Sequence, residues 1–187
     1  MRGNPQGLNT ISIVAWPVSK MRGGNLLLGA LVFVSLLATA IAPVQASTAE
    51  RHFRTDLAGA NEVPPRAVDG SGHFEATLNA NDGINFNLKV CHIQDVTQAH
   101  IHVGAAGVNG PVILFLFGPA FADPVDVDTC TMLSVGKLDA SDLIPRPAQG
   151  VNTFDDAIQK IRDGQAYVNV HTTTFPGGEI RGQLEIV

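Results

Sequence analysis

GINFNLKVC, which runs from Gly83 to Cys91, alternates between apolar and polar residues along its length. Successive side chains of a β-strand point to opposite faces, so a period of two predicts a strand with one buried face and one wet face. The apolar positions are Ile84, Phe86, Leu88 and Val90. This stretch therefore predicts one strand of a sheet that covers a core.

Other stretches with the length and composition of strands lie on both sides of this one. They read HFRTDLAG, HFEATLNA, AHIHV, VILFLF, MLSVGKL, AYVNVHT and GEIRGQLEIV. Short strands separated by turn residues are typical of antiparallel all-β folds. We therefore predict a mostly β fold, an antiparallel Greek-key-like β-sandwich or barrel.

One helix is predicted within this pattern, in NTFDDAIQKIRDG. Thr153 is suited to its N-cap, and Asp156, three residues on, gives a near capping box. Gly164 suits the left-handed residue that ends a helix. The apolar stripe comprises Phe154, Ala157, Ile158 and Ile161. The fold prediction thus includes one short α-helix at about 153–163.

The N-terminal segment has the form of an export signal. Arg22 gives a positive start, NLLLGALVFVSLLATAIA an apolar run, and PVQA a cleavage sequence of small residues. We place the cut after Ala46, so 1–46 is predicted as a signal peptide and 47–187 as a single domain. A start at Met21 would leave a leader of ordinary length, and the sequence leaves both starts open. We expect an exported protein, periplasmic or extracellular, without a stable membrane anchor after cleavage.

The exported part is acidic. The whole chain has 12 basic and 17 acidic residues, and the leader holds three basic ones, Arg2, Lys20 and Arg22, and no acid. The remaining nine basic and 17 acidic residues give a net charge of −8. Such a domain is poorly suited to nucleic acid or to an anionic membrane surface. We expect a monomer whose partner is an unknown protein or small ligand.

Both cysteines, Cys91 and Cys130, lie in the exported part. An oxidising compartment favours a disulfide between them, and the alternative is two buried free thiols. A metal site made of cysteines alone is not predicted, because the sequence contains no Cys-x-x-Cys pair.

Two histidines stand out in QAHIHVGAAGVNGP (Gln98–Pro111). His100 and His102 share one face of the strand AHIHV, because residues two apart on a strand point the same way. In AYVNVHT, His171 shares a face with Tyr167 and Asn169. The β-branched residues of both strands should take the core, which leaves the histidines facing outward or into a cleft.

Three imidazoles brought together by the fold would suit copper, or less well zinc. We therefore predict a metal site at His100, His102 and His171, with Asp95 and Glu179 as the acids that could orient the rings. The alternative is that His100 and His102 bind loop carbonyls or face water. Only the fold can bring His171 to the other two.

Other chemistry finds little support in the sequence. Ser71 and Ser134 lack the motif that surrounds a nucleophilic serine. The glycines of GAAGVNG follow a strand, but no helical pattern follows them, so they do not predict a phosphate loop. We assign no catalytic residue and expect a binding or structural module rather than an enzyme.

Three stretches together resemble a CHRD domain, the module named after the animal protein chordin and also found singly in exported bacterial proteins. They are LAGANEVPP (Leu57–Pro65), AHIHVGAAGVNGPV (Ala99–Val112) and GQAYVNVHTTTFPGGEIRGQL (Gly164–Leu184). The resemblance covers nearly the whole exported part in the right order. It implies a secreted, mostly β domain and no particular activity. Growth-factor binding by chordin is attributed mainly to cysteine-rich modules, which this chain lacks.

The residues that carry this resemblance lie in three groups along the chain. They are Glu62, Pro64, Pro65, Gly104, Gly107, Gly110, Asn169, Gly178, Glu179, Arg181 and Gly182. PGGE is also a predicted tight turn, since Pro176 fixes its entry and glycines tolerate positive φ. Alternation places Glu179 and Arg181 on the polar side of the last strand.

A more distant resemblance is to the copper half of Cu/Zn superoxide dismutase. By position, His100, His102 and His171 would stand for copper ligands, and Arg181 for the active-site arginine. The bridging histidine and the zinc loop of that family are missing here. This resemblance gives the alternative function, a copper-binding or copper-dependent redox protein, and only under it would Arg181 be catalytic.

Overall fold

This computed structural model describes residues 52–79, 83–118 and 123–187 of the 187-residue chain. The predicted signal peptide, 1–46, lies outside the described residues. Within them, no helix is both long enough and apolar enough to cross a membrane.

The described part consists of ten strands, one α-helix and three short 3-10 turns. The strands are β1 (His52–Ala58), β2 (Ser71–Leu78), β3 (Ile84–Cys91), β4 (Ile93–Val103), β5 (Val112–Phe117), β6 (Val125–Val127), β7 (Thr131–Leu138), β8 (Ala166–Thr172), β9 (Ile180–Gln183) and β10 (Glu185–Ile186). The helix is α1 (Phe154–Arg162).

All strand pairs are antiparallel, and they form one sheet in the order β5-β4-β8-β9-β1-β2-β3-β7. β10 pairs with β1 and β6 with β4. The two end strands approach each other, and Ser134 Oγ of β7 donates a hydrogen bond of 2.6 Å to the Leu116 carbonyl of β5. The predicted fold class is confirmed in its barrel form, as a nearly closed antiparallel sheet with one helix.

The alternation in β3 sets the core as predicted. Ile84, Phe86, Leu88 and Val90 are all buried, while the polar residues between them are exposed.

Helix α1 also matches its prediction. Thr153 accepts from the Asp156 amide, and the Asp156 carboxylate accepts from the Thr153 amide, which completes a capping box. Gly164 has a φ of +65°, the left-handed conformation that glycine tolerates.

Three elements differ from their predictions. β4 begins at Ile93 rather than Ala99, and Asp95 within it has a positive φ of 53°. β6, which was not among the predicted strands, pairs with β4. The predicted last strand is two strands, β9 and β10, separated at Leu184.

Cys91 and Cys130 form a disulfide, which confirms the prediction. Cys91 ends β3 and Cys130 directly precedes β7, and these strands pair through Val90 and Thr131. The bond therefore closes a chain segment that contains β4, the strand of the paired histidines.

Candidate metal centre

The sheet brings the three predicted metal-binding histidines together. His100 and His102 lie on β4 and His171 on the neighbouring strand β8. In the register between these strands, Asn169 is opposite His100, and Gln98 is opposite His171. Antiparallel pairing thus closes the long sequence gap between the His-x-His pair and the third histidine.

The ring nitrogens of the three histidines converge. One nitrogen of each lies within 4.8 Å of the other two, and His100 Nδ1 is 3.0 Å from His171 Nε2. Imidazole–metal bonds of about 2.0 Å place ligand nitrogens roughly 2.8–4 Å apart, depending on the angle at the metal. The His100–His171 contact, a hydrogen bond between the two rings, already has a length in this range. The donor set and its spacing fit one bound metal ion.

The sequence-based expectation that these histidines face water or a cleft is wrong. The exposed fractions are 4% for His100, 8% for His102 and 7% for His171. Every residue of β8, and β4 from Ala99 to Val103, is buried on both faces. Alternation sets the shared face correctly but cannot reveal that loops cover it.

Two loops cover this face and hold the histidine rings by backbone carbonyls. The glycine loop (104–111) joins β4 to β5, and its Gly110 carbonyl accepts from His102 Nδ1 at 2.9 Å. The proline turn (173–179) joins β8 to β9, and its Pro176 carbonyl accepts from His171 Nδ1 at 3.0 Å. Fixing the proton on Nδ1 leaves a lone pair on Nε2 of each ring. That of His102 has no partner among the described residues, and that of His171 faces His100 Nδ1 at 3.0 Å.

Asp95 and Glu179 do not orient the rings, so that prediction is wrong. The backbone amide of Asp95 donates to the Asp126 carboxylate, and the Glu179 carboxylate accepts from the Thr172 hydroxyl at 2.7 Å. For His102 and His171, backbone carbonyls of the covering loops take the role that the acids were expected to have.

Among the described residues, the Nε2 atoms of His100 and His102 are buried without a hydrogen-bond partner. Buried polar atoms are nearly always paired with a protein group, water or an ion. Two such nitrogens beside a third imidazole support a bound ligand at this point, and Glu62 Oε1, Asn169 Oδ1 and Gln183 Oε1 are likewise unpartnered within the described part of the chain.

Burial keeps the three imidazoles neutral. Burial, and then the neighbouring His171 and His102, lower the pKa of His100 to about 3. For His102, burial outweighs the Gly110 hydrogen bond and lowers the pKa to about 4. Burial also lowers the pKa of His171, against the Pro176 hydrogen bond. Neutral imidazole is the form that binds metal, and here no proton competes for it near pH 7.

Arg181 lies beneath the glycine loop and is buried, with 1% of its surface exposed. Its guanidinium donates to the Asn109 side chain and to the Ala105 and Val108 carbonyls. It also stacks 3.4 Å from the centre of the Tyr167 ring. These contacts make Arg181 an anchor of the glycine loop, and its role as a catalytic arginine gains no support.

Glu62, Asn169 and Gly178 meet beside the proline turn. Gly178 has a φ of +120°, and a Cβ atom there would collide with the Asn169 amide and lie 2.6 Å from the Glu62 carboxylate. Asn169 Nδ2 faces that carboxylate at 3.5 Å. Burial raises the pKa of Glu62, while Arg181 and Arg66 oppose the shift. This close packing explains why glycine is required at position 178.

The remaining motif residues form the covering segments. Gly104 and Gly110 have no room for a side chain, because a Cβ would meet the carbonyls of Val108 and Val103 respectively.

Gly182 packs against Thr55, and Glu179 is buried. Pro64 and Pro65 follow Val63, whose carbonyl accepts from Asn109 of the glycine loop. Several of these residues thus lie in, or hold, the loops that cover the histidines.

Sequence reasoning missed two aromatic neighbours of the site. Tyr167 stacks on His102 with ring centres 4.9 Å apart, and Phe115 meets the His100 ring edge-on at 4.4 Å. Phe115 itself is 42% exposed. The only sequence signal was that Tyr167 shares a face with His171.

The other three histidines lie outside the cluster. His73 bridges the Asp56 and Glu75 carboxylates on the surface, His52 contacts Thr77, and His92 has a positive φ of 51°. The hydrogen bonds to Asp56 and Glu75 raise the pKa of His73. These histidines provide matched controls for tests of the site.

A family model described as "CHRD domain" matches residues 53–184. No curated protein and no solved structure matches the chain. The more distant resemblance to the copper half of superoxide dismutase therefore has no support from these comparisons.

Proposed function

Since this chain belongs to the CHRD-domain family and its three histidines converge under two loops, we propose that it is an exported module that binds one copper ion. His100, His102 and His171 would be the ligands. The observation that carries the proposal is the meeting of three neutral, buried imidazoles, two of which have unpartnered nitrogens.

The donor set favours copper over other ions. The cluster holds three histidines and, among the described residues, no cysteine, aspartate or glutamate. Imidazole ligands suit copper and zinc, whereas magnesium, calcium and manganese prefer oxygen ligands. Copper(II) binds nitrogen ligands more tightly than zinc does, although three histidines and a water molecule also suit zinc.

Export is supported by the leader sequence and the disulfide. A Cys91–Cys130 bond forms and persists in an oxidising compartment. The acidic charge of the exported part would also attract cations toward it. We propose the periplasm or the extracellular space as the place where the protein meets its metal.

Binding is favoured over redox catalysis by the cover above the site. A surface cleft of about 780 Å³ is lined by residues such as Arg54, His73 and Glu185 and by none of the three ligand histidines. Arg181 lines that cleft, but its guanidinium is engaged by the glycine loop. A small substrate would have no open path to the metal through this cleft.

The test is metal analysis of protein that has been expressed as the full chain and purified after export. We expect about one copper per molecule in the wild type, loss of copper in His102→Ala and His171→Ala, and full retention in the control His73→Ala. Circular dichroism would show whether each variant is folded. Equal copper content in the wild type and in folded His102→Ala would contradict the proposed ligands.

A further inference from the structure

The hydroxyl group of Tyr167 makes an unusual pair of contacts with one residue. It accepts from the Gly110 amide at 3.0 Å and lies 3.3 Å from the Gly110 carbonyl, to which it can donate. Both polar groups of Gly110 are therefore held by a single side chain. A Cβ at this position would collide with the Val103 carbonyl, so the glycine loop approaches β4 as closely as the backbone allows.

The same Gly110 carbonyl binds His102. It accepts from His102 Nδ1 at 2.9 Å, and a carbonyl oxygen has two lone pairs, one for each donor. The Tyr167 ring also stacks on the His102 imidazole, with 11° between their planes. One tyrosine thus contacts His102 directly through its ring and indirectly through its hydroxyl group.

We propose that Tyr167 is a positioning residue that sets which nitrogen of His102 faces the metal site. This inference rests on the proposed metal-binding function. By holding Gly110, the hydroxyl group fixes the acceptor that keeps the His102 proton on Nδ1. Nε2, which is buried and without a partner among the described residues, is then the nitrogen that faces the ion.

The effect is confined to one ligand of the three. His171 receives its acceptor from Pro176, in the separate proline turn, and that contact involves neither Tyr167 nor Gly110. Loss of the hydroxyl group should therefore change His102 and leave the proton position of His171 as it is. A general loss of stability would affect both rings alike.

The test compares the wild type with Tyr167→Phe, which keeps the ring and removes only the hydroxyl group. Nitrogen NMR of the metal-free proteins would report the tautomer of each histidine, and competition with a copper chelator would report affinity. We expect a wild-type His102 protonated on Nδ1, a mixture of tautomers in Tyr167→Phe, and an unchanged His171. Copper affinity should fall by about 10- to 100-fold, as is typical when a group that orients a ligand is lost.

The control is Ser134→Ala, which removes another hydroxyl–carbonyl hydrogen bond, between β5 and β7, and should leave the tautomer of His102 unchanged. An unchanged His102 and unchanged affinity in Tyr167→Phe would overturn the inference and leave the proposed function intact. A wild type that binds no copper would overturn the proposed function, while the tautomer comparison would still test Tyr167. Should Tyr167→Phe not fold, a wild-type His102 protonated on Nε2 would by itself refute the inference.

Discussion

At the scale of single residues, burial changes what a histidine does. Exposed His73 lies between two carboxylates that raise its pKa, whereas burial lowers the pKa values of His100, His102 and His171. The same side chain thus carries charge more readily at the surface and stays neutral beneath the loops. A neutral imidazole can bind a metal ion. In acid, however, a buried imidazole that resists protonation destabilises the folded state relative to the unfolded state.

The stability of the metal-free protein should therefore fall as the pH drops below about 6.5. The unfolded chain binds protons at ordinary histidine pKa values, near 6.5, and the folded protein resists protonation down to about 3 at His100 and about 4 at His102. Below pH 6.5 the unfolded state binds more protons, so protonation favours unfolding. Urea unfolding with a metal chelator at pH 7.5 and pH 5 would measure the loss.

His73→Gln is the matched variant for this prediction. Because the pKa of His73 is raised in the folded protein, protonated His73 stabilises the fold below pH 6.5. This contribution is lost as the pH rises through the pKa that His73 has in the folded state. Removing His73 should therefore enlarge the loss of stability at pH 5. A metal-free wild type that is more stable at pH 5 than at pH 7.5 would contradict the account.

At the scale of elements, periodicity predicted those strands and the helix whose own sequences determine them. β3 alternates strictly, and α1 carries its capping residues in its sequence. β6 escaped prediction because its three residues, Val125–Val127, form a strand only by pairing with β4. The start of β4 was missed because Asp95 interrupts the alternation with a positive φ.

The disulfide constrains the element that carries two of the ligands. Cys91 and Cys130 are 39 residues apart, and closing a loop of this length stabilises the fold by about 4 kcal/mol through the entropy of the unfolded chain. The double variant Cys91→Ser/Cys130→Ser should lose stability of that order in chemical unfolding. Mass spectrometry of the non-reduced wild type should find no free thiol, and two alkylatable cysteines would contradict the bond.

At the scale of the whole molecule, the order of strands was the part that sequence could not supply. The shared faces of His100, His102 and His171 follow from alternation, but their convergence requires β4 and β8 to be neighbours. The cover depends on contacts equally remote in sequence, such as Arg181 with the glycine loop and Arg66 with Gly178. Local patterns predict which residues can meet, and long-range pairing decides which do.

The central claim, that one ion is bound by three imidazoles, is tested most directly by X-ray absorption spectroscopy of the copper-loaded, full-length protein. The account predicts a first shell of nitrogen atoms at about 2.0 Å from the copper, with the outer-shell scattering of three imidazole rings. A first shell containing sulfur, or a shell of oxygen atoms without imidazole scattering, would contradict it.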